Sequence, residues 1–154
     1  GEVFVELKKK CKGTVFKRRV ALPERVAMTW LAGGEMPIDS QICREIEYFC
    51  NFYKTLRPRV YLSYEREAYY SVLGDELRIT FDENIYARET DLSLCSEAYG
   101  HSLLPDGCTL MEIKSAGAMP LWLASILSER RIYKIRRGIC ELYYTTAEKH
   151  GVCI

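Results

Sequence analysis

The sequence predicts an α+β fold in which antiparallel β-strands are padded on one side by amphipathic helices. Three observations carry that expectation. Several segments alternate strictly between apolar and charged residues. Four such segments repeat one design, a charged side opposite an apolar one, and in three of them carboxylates and cations stand in the same phase. Between them lie helical stretches with apolar stripes to cover the apolar sides.

The first strand is Val3 to Lys10, where Val3, Val5 and Leu7 alternate with Phe4, Glu6, Lys8 and Lys10. Successive strand residues point to opposite faces, so Glu6 and Lys8 stand side by side. Lys12-Gly13 is a turn, and Thr14 to Leu22 returns as the second arm of a hairpin. Lys17, Arg19 and Ala21 share one of its faces, and Phe16, Val20 and Leu22 share the other, interrupted by Arg18.

Pro23 suits a first helical position, and a short apolar stripe (Val26, Ala27, Trp30, Leu31) ends at Gly33-Gly34. Asp39 is the expected N-cap of a second helix, whose stripe is Ile42, Ile46, Phe49 and Tyr53. A tyrosine-rich strand follows from Val60 to Tyr70, with Leu62, Tyr64, Arg66 and Ala68 in phase. Gly74-Asp75 is a turn. In Glu76 to Asp82, Leu77, Ile79 and Phe81 alternate with Glu76, Arg78, Thr80 and Asp82.

Asn84 to Glu89 reads as a further short strand, with Asn84, Tyr86 and Arg88 in phase. The stretch from Asp91 to Asp106 is expected as a long loop. Thr109 to Lys114 alternates again, and its Glu112-Ile113-Lys114 repeats Glu6-Leu7-Lys8. A third helix starts after Pro120, with Leu121, Trp122 and Ile126 on its apolar side, flanked by Leu123 and Leu127. Beyond it, residues 132–137 read as a strand and 139–149 as a helix.

The chain of 154 residues is long enough for one domain with a core, and 48% of it is apolar, which excludes a disordered segment. A formal charge of +1 excludes a global nucleic-acid footprint. The cations cluster locally instead, which points to one anionic ligand. The seven cysteines are odd in number and lack C-x-x-C spacing, which fits a reducing, cytoplasmic compartment. His101 and His150 have no second ligand at metal-binding spacing. No apolar run reaches membrane-spanning length, so membrane association is not visible in this chain.

Two arrangements satisfy the repeated strand design. An open sheet could bury its apolar side under the helices and show its charges to water. Alternatively, the sheet could curl so that the charged sides line a lumen. Crowded cations repel one another unless an anion lies between them, and triphosphate or polyphosphate suits arginine, lysine and a carboxylate-held Mg²⁺ or Mn²⁺.

Six segments in order strengthen the lumen. They are Phe4-Val5-Glu6-Leu7-Lys8-Lys9-Lys10, Val15-Phe16-Lys17-Arg18-Arg19-Val20, Tyr64-Glu65-Arg66-Glu67-Ala68-Tyr69-Tyr70, Leu77-Arg78-Ile79-Thr80-Phe81-Asp82, Leu110-Met111-Glu112-Ile113-Lys114 and Ala118-Met119-Pro120-Leu121-Trp122-Leu123. Together they resemble the VTC domain of polyphosphate polymerases, in its bacterial branch, a family of the CYTH-like triphosphate tunnel metalloenzymes.

The resemblance implies an antiparallel β-barrel forming a tunnel, with helices outside. It implies transfer of the γ-phosphoryl group of ATP to inorganic polyphosphate, dependent on Mn²⁺ or Mg²⁺. By the same resemblance, Lys8, Lys17, Arg19, Arg66, Arg78 and Arg88 bind phosphate. Glu112 holds the metal, with Glu6 as a second acidic group, and Glu112, Arg78 and Lys8 carry catalysis. Two alternatives remain, a triphosphatase of the same fold and a non-catalytic module for polyphosphate or inositol phosphates.

The family carries a helix and further strands, including Arg-x-Arg, ahead of the Glu-x-Lys strand. Residues 1–154 are therefore expected as one tunnel domain, truncated at its N-terminus and open along one edge. A second copy of the chain or another partner would complete that edge. Residues 134–154 diverge from the family, with Arg136 or Arg137 standing where a phosphate-binding lysine is expected.

Overall fold

The computed structural model describes residues 1–134 and 139, apart from 13, 55 and 75. The expectations for 135–138 and 140–154, including Arg136 and Arg137, lie outside the described residues. The chain divides into two compact units, Gly1–Arg57 and Pro58–Ile154.

The first unit is a long hairpin covered by two helices. Strand β1 (Glu2–Cys11) pairs antiparallel with β2 (Thr14–Pro23), with Glu6 opposite Arg19 and Lys8 opposite Lys17. The alternation sends Val5, Leu7 and Leu22 to one side, where they pack with Ala27 and Trp30 of α1 (Glu24–Leu31) and with Cys43 and Ile46 of α2 (Gln41–Phe52). Removing this apolar surface from water holds the helices on the hairpin.

Helix α1 begins one residue later than expected, with Pro23 as the flanking cap, a place where its missing N–H costs nothing. Its end is the Gly33-Gly34 stop. Gly33 N–H donates to the Trp30 carbonyl, and Gly34 N–H donates to that of Thr29. Gly33 has a φ of +96°, the left-handed region that glycine enters without strain. Ser40, not Asp39, caps α2, its Oγ accepting from Cys43 N–H at 3.2 Å. Asp39 is instead paired with Arg44.

The second unit is organised on one strand, β4 (Arg78–Arg88). On one edge it pairs antiparallel with β3 (Tyr61–Tyr70). On the other it pairs with β6 (Leu110–Lys114) along its first half and with the short β5 (His101–Ser102) near its end. The strand expected at Glu76 and the one expected at Asn84 are therefore a single element. The long loop expected from Asp91 contributes β5 to the sheet.

A β-bulge lies in the middle of β4. Between the pairs Ser63–Tyr86 and Glu65–Glu83, β3 advances two residues and β4 three. Asn84 takes up the extra residue in the left-handed region, with φ +49°. Beyond the bulge, Ile85 and Ala87 bury themselves with Leu103, against Val60, Leu62, Leu104, Leu110 and Ile139. Helix α3 (Leu121–Glu129) buries Leu123, while Leu121, Trp122 and Ile126 of the expected stripe are exposed.

Both sheets are antiparallel, and the fold is mixed α+β. Among the described residues the strands form two separate hydrogen-bonded sheets, and neither closes into the expected barrel. No helix among them is long and apolar enough to cross a membrane. Cys11, Cys43, Cys50 and Cys108 are free thiols.

Candidate functional site

Three antiparallel strands place nine side chains of the second unit in a grid, because residues directly opposite one another share a face. The first rung is Tyr70, Arg78 and Lys114. The second is Ala68, Thr80 and Glu112, and the third is Arg66, Asp82 and Leu110. The structure thus brings Arg66, Arg78 and Glu112 onto one face, as the alternation predicts.

The polar centre of this face is buried. Thr80 is 2% exposed and Asp82 1%, while Ile79 and Phe81 on the reverse face are only half-buried. A solvated charged face would show the opposite ordering.

Asp82 locks Arg66 in a two-point ion pair, Nε to Oδ1 at 2.5 Å and Nη2 to Oδ2 at 2.7 Å. That pair, with help from Tyr64 and Glu112, pushes the Arg66 pKa above the usual arginine range. Two of the five guanidinium N–H groups are consumed, which leaves the Nη1 side free to receive another acceptor. Arg66 also stacks on Tyr64, with its Cζ 4.8 Å from the ring centre, and Arg78 on Tyr70 at 5.2 Å. Glu112 accepts from Lys114 Nζ at 3.1 Å. Two buried atoms on this face have no hydrogen-bond partner, Arg78 Nε and Thr80 Oγ1.

Arg88 lies elsewhere. Simple alternation puts it in phase with Arg78, but the extra residue at Asn84 turns it to the reverse face, opposite Tyr61. It is 4% exposed, and its guanidinium donates to four carbonyls. Nε reaches Asp91 O at 2.8 Å, Nη1 reaches Glu97 O at 3.1 Å and Tyr99 O at 3.0 Å, and Nη2 reaches Ser93 O at 3.4 Å. Tyr61 and Tyr99 cover it, with ring centres 3.5 and 4.3 Å from Cζ.

The segment it gathers is tied further by Asp91, which accepts from the hydroxyls of Ser96 and Tyr99 and is thereby held below the usual carboxylate range. Gly100 closes the segment against β4. A Cβ there would sit 2.4 Å from the Ala87 carbonyl oxygen.

The first unit carries the other expected residues. On the face of the hairpin away from the helices, Glu6 Oε2 accepts from Lys17 Nζ at 2.8 Å and from Arg19 Nη2 at 2.8 Å. These bonds, the one from Lys17 foremost, hold its pKa below the ordinary carboxylate value. Arg19 also stacks on Phe4 at 4.7 Å. Lys8 stands exposed beside them, opposite Lys17. A cleft lined by Leu7, Lys9, Phe16, Arg18 and Glu45 opens on the reverse, helix-covered side.

Mg²⁺ and Mn²⁺ take one or two carboxylates and complete their shells with substrate phosphate oxygens and water. Among the described residues no group of three His, Cys, Asp or Glu side chains could hold a metal ion by itself. Glu112 fits the shared kind of site, since it is half-exposed and stands one strand from the unpartnered Thr80 hydroxyl. Glu6 fits it less well, because one of its oxygens already neutralises two cations.

Thr80 and Asp82 are among the residues of this face to which the sequence analysis assigned no role. Their signal was present, a hydroxyl and a carboxylate in phase with Arg78 on the most strictly alternating strand. Comparison with known proteins gives one match. The family model described as VTC domain covers residues 1–138. No curated protein and no solved structure matches the chain.

Proposed function

Because the chain belongs to the VTC domain family, we propose that it acts as a polyphosphate-polymerase domain, transferring the γ-phosphoryl group of ATP to the end of a polyphosphate chain. The observation that carries this reading is the polar face of β4, where the buried Thr80 and Asp82 stand among Arg66, Arg78, Glu112 and Lys114 on one side of three strands. In this reading that face is wall of a basic tunnel.

Phosphoryl transfer asks little covalent work of a protein; positioning and electrostatics supply the catalysis. Arg78 and the free side of Arg66 grip phosphate oxygens, and Asp82 fixes the direction of the Arg66 fork. Within the first unit, the hairpin's Lys8, Lys17 and Arg19 form a basic surface for a polyanion, with Glu6 spacing the last two. Mg²⁺ or Mn²⁺, when bound through Glu112, supplies charge that neutralises the transferring group. The bond from the γ-phosphorus to the β–γ bridging oxygen breaks, a bond to the terminal oxygen of the chain forms, and ADP leaves. Arg88 serves this reading indirectly, as the clamp of the segment behind the sheet.

The test is incubation with ATP and Mn²⁺, followed by separation of long-chain product from free phosphate. The reading expects long-chain polyphosphate from the wild-type chain and none from Glu112→Gln. Release of free phosphate alone would instead identify a triphosphatase. ATP left intact, with no binding of tripolyphosphate, would overturn the reading.

A further inference from the structure

The centre of the β4 face holds a feature that neither folding nor the ion pairs explain. Thr80 is 2% exposed, yet its hydroxyl has no partner, and the same is true of the neighbouring Arg78 Nε. A buried polar group without a partner costs free energy, so nearly all such groups in folded proteins are paired. Two of them at successive positions of one strand face make a matched set of donors. Arg78 Nε can only donate, and a threonine hydroxyl can donate as well.

The surroundings decide what they await. Ala68 is the β3 residue opposite Thr80, and its methyl side chain offers the hydroxyl no hydrogen-bond partner. Asp82, the next carboxylate on the strand, has both its oxygens engaged by Arg66. Glu112, on the other side of Thr80, accepts from Lys114. Both carboxylates beside Thr80 thus face cations, and the two donors left unmatched, the Thr80 hydroxyl and Arg78 Nε–H, suit an acceptor brought by a ligand.

We infer that Thr80 is a phosphate-contacting residue, its hydroxyl and the Arg78 Nε–H together receiving the oxygens of one phosphoryl group of the bound chain. The inference rests on the reading of this face as a phosphate site and adds a residue and a subsite to it. A neutral hydroxyl suits that position, because it contacts a phosphate oxygen without adding a further cation between Arg66, Arg78 and Lys114.

The experiment is calorimetric titration of tripolyphosphate into the wild-type chain and into Thr80→Val, Thr80→Ser and Arg78→Lys, with thermal unfolding of each protein without ligand. Valine keeps the shape of threonine and deletes the hydroxyl. The inference expects Thr80→Val to unfold at the same or a higher temperature, since an unsatisfied buried hydroxyl is gone, and to bind tripolyphosphate roughly tenfold more weakly. Thr80→Ser restores the affinity. Arg78→Lys keeps the charge, loses the Nε donor and weakens binding comparably, so the subsite stays testable if the valine variant does not fold. Wild-type affinity in a folded Thr80→Val, or in Arg78→Lys, would overturn the inference while leaving the face as a phosphate site. Absence of tripolyphosphate binding by the wild-type chain would overturn the underlying reading as well.

Discussion

Arg78 and Arg88 show how two arginines with the same sequence signature acquire different tasks. Both sit in phase on alternating segments, and both are expected to reach phosphate. Arg78 keeps an unpartnered Nε on the buried polar face, whereas Arg88 spends four donor contacts on the carbonyls of Asp91, Ser93, Glu97 and Tyr99. Lysine cannot reproduce a planar fork that reaches several acceptors at once. Arg88→Lys is therefore expected to lose about 2–4 kcal/mol of stability in urea unfolding, because buried carbonyls are left without donors. Tripolyphosphate affinity of the folded protein should be unchanged. Unaltered stability with weakened binding would return Arg88 to the phosphate-binding set. Alternation shows that a residue is on a strand face, but it cannot show which acceptors a distant loop will bring to it. That is why the sequence shows both arginines on a strand and not the carbonyls that Arg88 meets.

At the scale of elements, the phase change in β4 is the decisive event. One additional residue at Asn84 converts a strand with a polar face into one whose same side turns apolar and packs Ile85 and Ala87 against Leu103. Asparagine tolerates the left-handed conformation better than most residues, and its Nδ2 donates to Glu65 Oε2 at 2.9 Å. Asn84→Val, β-branched in that conformation, is expected to cost about 1–2 kcal/mol by thermal or urea unfolding, and Asn84→Gly markedly less. Equal stability of the two variants would show that the bulge does not depend on this backbone state. The bulge explains why Glu76–Asp82 and Asn84–Glu89 read as two strands. Their apolar periodicities are out of step by one residue, and the sequence contains no glycine or proline to announce the kink. The hairpin of β1 and β2 was legible almost completely, because its alternation is broken only at Arg18 and its second arm follows closely on the first.

At the scale of the molecule, each unit repeats one plan, an antiparallel sheet with a polar face, and the α+β class was readable from periodicity alone. Closure was not. Residue patterns left an open sheet and a barrel equally satisfied, since both present one apolar and one charged side, and closure depends on pairings between strands distant in sequence. The barrel came from the family resemblance; the family itself is upheld by the match over residues 1–138. Of the expected site, Arg66, Arg78 and Glu112 share a face in the second unit, while Glu6, Lys8, Lys17 and Arg19 share one in the first. What joins these observations into a function is the claim that a phosphate chain lies on the β3–β4–β6 face. The most direct measurement is the isotherm of tripolyphosphate on the wild-type chain and on Arg78→Ala. Loss of one charged phosphate contact should cost about 1.5–3 kcal/mol, an affinity roughly ten- to a hundredfold weaker. Identical isotherms for the two proteins would contradict the account.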